Sequence, residues 1–320
     1  MRLRDFPEEE LLLQGNAACQ GCPASIALRV AFKALGRNTL MVVIASCTSV
    51  LQSPFPASAL DLPVLNMAFA SGGAVASGIT AAADRLVKHG VFEEKPTILV
   101  WAGDGGTYDI GIQALSGAAE RSADFIYVCY NNEVYSNTGT QRSGATPYAA
   151  WTTNTVTGKE EWRKDIAQIM IAHNIPYVAT ASLAYPTDMY RKFAKAKEVK
   201  GTRYIEILAP CPPGWKFPSS YTIKVSRLAV QTGMWLLYEH EDGRTTYTAG
   251  TKRIIMGQSK IKPVEEYLEL QGRFRHLFQP ERDEERIKEI QARINHIFET
   301  LQFTHKMKEH IMDIELAPPY

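Results

Sequence analysis

The segment Trp101-Ala102-Gly103-Asp104-Gly105-Gly106-Thr107 lies between an apolar run and a helical pattern. Its glycines allow the backbone to approach a phosphate group closely, because they carry no side chain. The helix that we expect to begin near Ile110 adds unpaired N–H groups and a favourable dipole at its N-terminus. Asp104 within this turn is suited to Mg²⁺, which prefers oxygen ligands. The turn alone is a weak signal, because Gly-Asp-Gly occurs in many ordinary turns.

A second polar turn, Asn131-Asn132-Glu133-Val134-Tyr135-Ser136-Asn137-Thr138-Gly139, follows another apolar run. Asn132 lies 28 residues after Asp104 (132 − 104), so one strand–helix–strand unit brings both to the same edge of a sheet. Asp104, the Asn132 side chain and a backbone carbonyl just beyond it can provide the protein ligands of Mg²⁺, with diphosphate oxygens and water in the other positions. The two turns at this spacing are the signature of thiamine diphosphate binding. The alternative is two unrelated polar turns.

Apolar runs rich in β-branched residues predict buried strands of a parallel sheet. These runs are Thr39–Ser46, Thr97–Trp101, Asp124–Tyr130 and Tyr204–Leu208. Helical patterns lie between them, at Pro23–Leu35, Gly72–His89, Ile112–Arg121, Ile166–His173 and Pro186–Lys197. Strands that alternate with helices indicate an α/β fold built on a doubly wound parallel sheet. Ligands of such sheets bind at the carboxyl ends of the strands, where both polar turns are expected.

The sequence changes character at about Lys262. The stretch Val264–Leu316 is charged, helical in pattern and nearly free of glycine. It is too polar to form a core of its own. We therefore predict a cofactor-binding domain at residues 1–261 and a C-terminal helical arm at residues 262–320, which packs on the domain or on a neighbouring subunit. The alternative is a solvated tail without function.

The charge and hydropathy of the chain exclude several classes of protein. Lys plus Arg (35) nearly balance Asp plus Glu (34) over the 320 residues, which gives no electrostatic case for nucleic acid or an anionic membrane as the main partner. No apolar run reaches the roughly 20 residues that span a bilayer, and residues 1–10 lack the apolar core of a signal peptide. We therefore expect a cytoplasmic protein that acts on a small molecule.

The five cysteines, an odd number, do not suggest the disulfide framework of a secreted protein. Cys19 and Cys22 form a C-x-x-C pair just before a helix, whereas Cys47 and Cys211 lie at the ends of strands. Four thiols in turns can bind Zn²⁺ or a [4Fe–4S] cluster. A structural zinc site usually has two C-x-x-C pairs, so one pair with two distant single cysteines favours the cluster. Cys129 lies inside a strand and is predicted to be a small buried residue.

Four segments resemble those of the thiamine-diphosphate-binding β subunits of the pyruvate:ferredoxin oxidoreductase family, or the matching C-terminal domain of its single-chain members. These segments are Cys19-x-x-Cys22, Gly103 to Gly111, Glu133 to Gly139 and Ala209-Pro210-Cys211. The resemblance extends from about Gly15 to Tyr238. It implies the thiamine-diphosphate-binding fold and an oxidoreductase that decarboxylates its substrate and passes the electrons to a cluster and to ferredoxin.

The resemblance also implies roles for individual residues. The implied ligands of a [4Fe–4S] cluster are Cys19, Cys22, Cys47 and Cys211. The implied ligands of Mg²⁺ are Asp104, the Asn132 side chain and the Val134 carbonyl. The implied cofactor-binding positions, mostly around the diphosphate, are Gly103, Gly105, Gly106 and Thr138. The implied catalytic residue, which contacts substrate beside the thiazolium ring, is Asn137.

One position departs from many pyruvate-type relatives, which have Gly-Glu directly after the second cysteine of the pair. In this chain the two residues are Pro23 and Ala24. The loss of a carboxylate from a low-dielectric site favours a more anionic substrate, because like charges repel strongly there. We therefore predict oxalate, a small dianion that yields two CO₂ and two electrons, as the substrate. Pyruvate, with coenzyme A, is the alternative.

The sequence lacks parts that this chemistry requires. It contains no second thiamine domain and no C-x-x-C-x-x-C ferredoxin run. We expect an α-type subunit that supplies the pyrimidine-side glutamate and the substrate arginines, and a ferredoxin-like subunit whose further clusters lead to external ferredoxin. Two other functions stay open. A non-redox thiamine enzyme leaves the four cysteines unused, and a zinc-stabilised scaffold protein leaves the spacing of the two turns unexplained.

Overall fold

The computed structural model describes residues 2–52 and 56–315, with side chains as far as residue 307. The strands within these ranges are β1 (Thr39–Ile44), β2 (Val64–Met67), β3 (Thr97–Gly103), β4 (Phe125–Asn131), β5 (Tyr177–Ser182), β6 (Thr202–Leu208), β7 (Tyr238–Glu241) and β8 (Arg244–Tyr247). They form one sheet in the order β2-β1-β3-β4-β6-β5-β7-β8. All pairs from β2 to β5 in this order are parallel, and the last two pairs are antiparallel.

Helices connect the parallel strands and cover the sheet. The α-helices of the described ranges are α1 (Pro23–Leu35), α2 (Cys47–Leu51), α3 (Gly72–Lys88), α4 (Ile112–Glu120), α5 (Ile166–Ala172), α6 (Pro186–Glu198), α7 (Pro212–Trp215), α8 (Thr222–Gln231), α9 (Ala249–Ile255), α10 (Glu265–Leu268) and α11 (Glu284–Glu315). The five predicted helices agree with α1, α3, α4, α5 and α6 to within one or two residues at each end. The predicted α/β class and doubly wound sheet are therefore confirmed.

The alternation of side chains along β1 explains why its sequence is a continuous apolar run. Met41 and Val43 face a core that includes Leu28 of α1 and Phe193 of α6. Val42 and Ile44 face the opposite core, to which α3, α4 and α5 contribute. A strand that is buried on both faces has no side exposed to solvent, so apolar residues occupy every position instead of alternating with polar ones.

Four strands were not predicted from the sequence. β2 has partly exposed side chains and only four residues, and β5 consists largely of small or polar residues. β7 and β8 form a polar hairpin whose two-residue connection, Asp242-Gly243, has positive φ values of 49° and 72°. Asp-Gly is favoured in such a turn, and this dipeptide was the local signal for the hairpin. Its pairing with β5 makes the sheet mixed rather than purely parallel.

The C-terminal segment from residue 262 packs on the sheet domain. Its buried apolar side chains join a core with Trp215, Val225 of α8 and Trp235. The members of this core from the segment include Val264, Tyr267, Leu268, Phe274, Leu277, Ile287, Ile290, Ile294 and Phe298. The predicted division at residues 261 and 262 stays a prediction, and residues 316–320 of the predicted arm lie outside the described residues.

Among residues 2–52 and 56–315, no helix has an apolar stretch long enough to cross a bilayer.

We predict opposite effects for two glycines of α3. A methyl group on Gly73 would lie 2.4 Å from the carbonyl oxygen of Ala114 in α4, whereas nothing lies within 4 Å of one on Gly78. Gly73→Ala should therefore lower the free energy of unfolding by about 1–3 kcal/mol, the usual cost of overpacking. Gly78→Ala should raise it by about 0.5–1 kcal/mol, because glycine costs more backbone entropy inside a helix. Urea unfolding curves of the two variants provide the test, and equal midpoints would contradict the close helix contact.

Candidate cofactor site and cysteine-lined cavity

The chain reverses its direction of travel across the sheet at β1. It passes from β1 to β2 on one side and then to β3 on the other, and ligands bind beyond the carboxyl ends of strands at such a point. A cavity of about 240 Å³ lies here. Its lining comprises residues 45–47, Phe69, residues 103–106, Tyr130, Asn132 and residues 134–138. The structure thus brings all the residues that were predicted to bind thiamine diphosphate or Mg²⁺, together with Asn137, to one cavity.

Three oxygen atoms converge at one end of this cavity. The side-chain oxygen of Asn132 lies 2.5 Å from the carbonyl oxygen of Val134 and 3.0 Å from Oδ1 of Asp104. Oxygens this close repel one another, unless a cation lies between them or the amide turns so that its NH₂ group donates to the other two. Since Mg²⁺ takes carboxylate, amide and carbonyl oxygens as ligands, this donor set fits the predicted ion.

The carboxyl group of Asp104 is buried, with 1% of its surface exposed. Burial raises its pKa to about 8, although a hydrogen bond from the Ser143 hydroxyl to Oδ2 opposes the shift. Without a nearby cation the protonated form is therefore favoured at neutral pH, and a divalent cation would favour the carboxylate. The raised pKa of the Asp104 carboxyl group is therefore consistent with a site for a cation beside it.

The turn after β4 is held from several directions. The Oδ1 atom of Asn131 accepts the N–H of Glu133 at 2.9 Å, and the Thr146 hydroxyl donates to the Glu133 carbonyl at 2.6 Å. The indole N–H of Trp215 donates to the Asn132 carbonyl at 2.6 Å. Sequence reasoning did not assign these supporting roles to Thr146 and Trp215, nor the contact of Ser143 with Asp104. No local motif identifies them, because each acts across a long separation in sequence.

The four predicted cluster cysteines line a second cavity. Cys19 and Cys22 lie in the turn before α1, where the Cys22 N–H donates to the Cys19 carbonyl at 3.0 Å. Cys211 immediately precedes α7, and its Sγ accepts the N–H of Gly214 at 3.4 Å. Cys47 is the first residue of α2, three residues beyond the end of β1, rather than the last residue of a strand as predicted.

The glycine between the paired cysteines is required by its surroundings. Gly21 has a φ of +68°, and a methyl group there would lie 2.3 Å from the carbonyl oxygen of Ser219. Without a side chain, the turn that carries Cys19 and Cys22 can approach the segment just before α8.

The thiols of the second cavity influence one another electrostatically. Burial raises the pKa of Cys47 to about 12, and the thiols of Cys211, Cys22 and Cys19 add to the shift. Burial also raises the pKa values of Cys22 and Cys211. Within the described side chains, no three His, Cys, Asp or Glu residues lie close enough together to hold a single metal ion. A [4Fe–4S] cube takes one cysteine at each iron and separates its ligands more widely than one ion does, so four thiols around a cavity fit it.

The two cavities share a wall. Cys47, Tyr130, Asn132 and Asn137 line both of them. Cys129 is fully buried in β4 and lines neither cavity, which agrees with its predicted role as a core residue. A cofactor in the first cavity and a redox centre in the second would therefore be separated by single side chains.

Comparisons with known proteins indicate the family of this chain. Residues 46–207 match the family "Thiamine pyrophosphate enzyme, C-terminal TPP binding domain". A ketoisovalerate oxidoreductase subunit, VorB, of Pyrococcus abyssi is 47% identical over 277 residues, which cover 85% of this chain and 88% of the relative. A pyruvate synthase subunit, PorB, of Methanothermobacter thermautotrophicus is 47% identical over 279 residues, which cover 85% and 92%.

A solved structure shares the fold. The 2-oxoglutarate:ferredoxin oxidoreductase of Magnetococcus marinus superposes with a TM-score of 0.54 at 20% identity, over 71% of this chain and 80% of that one. The fold and the matched domain define a thiamine-diphosphate-binding protein. More narrowly, the chain belongs to the family of β subunits of 2-oxoacid:ferredoxin oxidoreductases, which are oxidoreductases that act with partner subunits.

The close packing of the Gly-Asp-Gly turn generates a prediction about cofactor binding. A methyl group on Gly105 would lie 2.3 Å from the ring of Tyr135, whose hydroxyl donates to Asp109 at 2.8 Å. Gly105→Ala should therefore displace one of the two turns and weaken thiamine diphosphate binding by about tenfold or more, the effect of a misplaced supporting contact. Gly117→Ala in α4 is the matched control, because its nearest neighbour is an Arg121 side chain at 3.4 Å. Calorimetric titration with the cofactor and Mg²⁺ gives both affinities, and equal values would contradict the assignment of this cavity.

Proposed function

We propose that this chain is the β subunit of an enzyme that oxidatively decarboxylates a 2-oxoacid, with pyruvate favoured, and passes the electrons through a [4Fe–4S] cluster to ferredoxin. The observation that carries the proposal is the wall that the two cavities share. A non-redox thiamine enzyme has no use for four cysteines beside the cofactor. A zinc-stabilised scaffold has no use for three converging oxygens at the end of two neighbouring strands.

Residues of the first cavity would hold thiamine diphosphate and Mg²⁺. Asp104, the Asn132 side chain and the Val134 carbonyl would bind the ion, since their oxygens converge. The cavity lining that would surround the diphosphate comprises Gly103, Gly105, Gly106 and Thr138. The cofactor, when bound, supplies a carbanion-stabilising thiazolium ring that allows a 2-oxoacid to lose CO₂.

The remaining residues of the shared wall would act on substrate and on electrons. Asn137 reaches both cavities, so its amide can orient a substrate carbonyl or carboxylate beside the cofactor. The thiolates of Cys19, Cys22, Cys47 and Cys211 would hold the cluster. Cys47 also lines the cofactor cavity, so it would lie on the shortest route for electrons. Cys22, Cys47 and Cys211 are partly buried, whereas Cys19 is exposed at the outer side of that route.

Pyruvate is favoured over oxalate for two reasons. The relatives are named for pyruvate and ketoisovalerate. In addition, Pro23 and Ala24, the basis of the oxalate prediction, line the cysteine cavity and not the cofactor cavity. The missing carboxylate therefore changes the charge beside the predicted cluster more directly than the charge beside the substrate.

The site would be completed by other chains. The α-type subunit would supply the pyrimidine-side glutamate and the substrate arginines, and a ferredoxin-like subunit would carry electrons onward to external ferredoxin. The family requires partner subunits, and their particular contributions are part of this proposal. A cytoplasmic location and the division into a cofactor-binding domain at residues 1–261 and a C-terminal arm at residues 262–320 are also proposed.

The cluster ligands can be tested against a cysteine that is not one. After anaerobic reconstitution with iron and sulfide, the wild-type chain and Cys129→Ala should each bind about four iron and four sulfide ions, as one cubane requires. Cys211→Ser should bind much less, because it removes a soft thiolate ligand from the cavity. Chemical analysis of iron and acid-labile sulfide provides the measurement. Zinc in place of iron in the protein as isolated anaerobically would instead support the scaffold function.

The substrate and the need for partners can be tested together. The complex purified with its partner subunits should reduce ferredoxin with pyruvate and coenzyme A at a rate well above that with oxalate. The chain alone should be inactive with both, because its site lacks the residues of the α-type subunit. Reduction is followed spectroscopically, with ketoisovalerate as a third substrate. Oxalate turnover in preference to both 2-oxoacids would overturn the substrate assignment, and activity of the isolated chain would overturn the shared site.

A further inference from the structure

Glu133 occupies a special position in the metal loop, the turn Asn132–Val134 that provides two of the proposed Mg²⁺ ligands. It separates the Asn132 side chain from the Val134 carbonyl, and its own φ is +60°. A non-glycine residue in this left-handed region persists only where its surroundings hold it. The conformation of Glu133 therefore decides how the two flanking oxygens are directed.

The Glu133 carboxylate is buried between two guanidinium groups. Its Oε1 lies 3.1 Å from Nη1 of Arg163, and its Oε2 lies 2.7 Å from Nη2 of Arg273. Arg273 is fully buried and comes from the C-terminal segment, 140 residues further along the chain. Buried charge pairs of this kind fix the position of a side chain strongly, because separating the partners leaves an unpaired charge without water.

Arg273 also supports the metal loop by a second route. Its guanidinium lies 3.6 Å from the centre of the Trp215 ring, and its Nε donates to Oε1 of Gln271 at 2.9 Å. The Trp215 indole in turn donates to the Asn132 carbonyl. Arg273 thus reaches the loop through a carboxylate at one residue and through an indole at the residue before it.

We propose that Arg273 is a positioning residue for the metal site: the C-terminal segment sets the geometry of the Mg²⁺-binding loop through Arg273, Glu133 and Trp215. This inference rests on the proposed function, because it assumes that Asn132 and Val134 bind Mg²⁺. Arg273 touches neither the metal nor the cofactor in this proposal. It acts by holding the left-handed turn and the adjoining carbonyl in place.

The rival explanation is that the Arg273–Glu133 pair only stabilises the fold. In that case its loss would reduce the fraction of folded enzyme and thereby lower kcat, while the folded fraction would bind Mg²⁺ as before. A positioning role predicts the opposite effects on kcat and on Mg²⁺ affinity. Metal affinity should fall, and kcat at saturating Mg²⁺ and cofactor should stay within about threefold of wild type, because the reacting groups are intact once the ion is bound.

The test uses the complete complex, depleted of cofactor and metal, and calorimetric titration with Mg²⁺ and thiamine diphosphate. Arg273→Met should weaken Mg²⁺ binding by about 10–100-fold, the usual effect of removing a support of a metal ligand. Arg273→Lys should recover part of the affinity. Arg275→Met is the matched control, because Arg275 is exposed and its side chain bonds only to Gln279 among the described side-chain hydrogen bonds; the Mg²⁺ affinity of this variant should equal that of wild type.

A double variant tests the route of the effect. If Arg273 acts through the carboxylate, Arg273→Met combined with Glu133→Gln should bind Mg²⁺ about as weakly as the weaker single variant, because coupled residues are not additive. If Arg273→Met fails to fold, Trp215→Phe takes its place, since it removes the indole N–H and keeps an aromatic ring. If Mg²⁺ affinity falls in Trp215→Phe while kcat at saturating Mg²⁺ and cofactor stays near normal, the positioning of the metal loop by this segment is supported.

The outcomes separate this inference from the proposed function. Wild-type complex that binds no Mg²⁺ with the cofactor would overturn both. Wild-type complex that binds Mg²⁺ normally, with unchanged affinity in Arg273→Met, or in both Trp215→Phe and Glu133→Gln if Arg273→Met does not fold, would overturn the positioning role alone. Strictly additive effects of Arg273→Met and Glu133→Gln would overturn the route through the carboxylate.

Discussion

Two turns that follow neighbouring parallel strands bring the side-chain oxygen of Asn132 to 2.5 Å from the Val134 carbonyl oxygen and to 3.0 Å from Oδ1 of Asp104. This arrangement is unfavourable unless it is compensated by positive charge or by proton donation, and much of the surrounding structure serves it. Gly105 leaves room for the Tyr135 ring between the turns, and Ser143 donates to the Asp104 carboxylate. The sheet supplies the alignment, because the carboxyl ends of β3 and β4 lie at the same edge.

The same edge of the sheet also places the two cavities next to each other. β1 and β4 lie on either side of β3 in the sheet. Cys47, which follows β1, and Asn132, which follows β4, therefore line the same wall. The four cysteines come from three separate places in the chain, and two of them lie at the start of short helices. A site assembled in this way forms only when the sheet is complete, which couples the predicted redox centre to the fold of the whole domain.

The strong patterns of the sequence predicted the fold well. Buried strands such as β3 and β4 are apolar throughout, and the helices between them have clear periodicity, so their positions agreed closely with the structure. The unpredicted elements are those whose stability comes from neighbours: the short edge strand β2, the small-residue strand β5 and the polar hairpin β7–β8. Cys47 was assigned to a strand end because an apolar run does not mark where a short helix begins.

The sequence alone determined the chemistry that the site can hold, because Gly-Asp-Gly, the asparagine turn and the spaced cysteines specify oxygen and sulfur donors by residue type. The sequence also predicted that the two turns lie at the same edge of the sheet, because the carboxyl ends of parallel strands meet there. Only the tertiary structure decided what supports them. Ser143, Trp215 and Arg273 meet the turns across long separations, and such contacts follow from packing of the completed core, which no local pattern records.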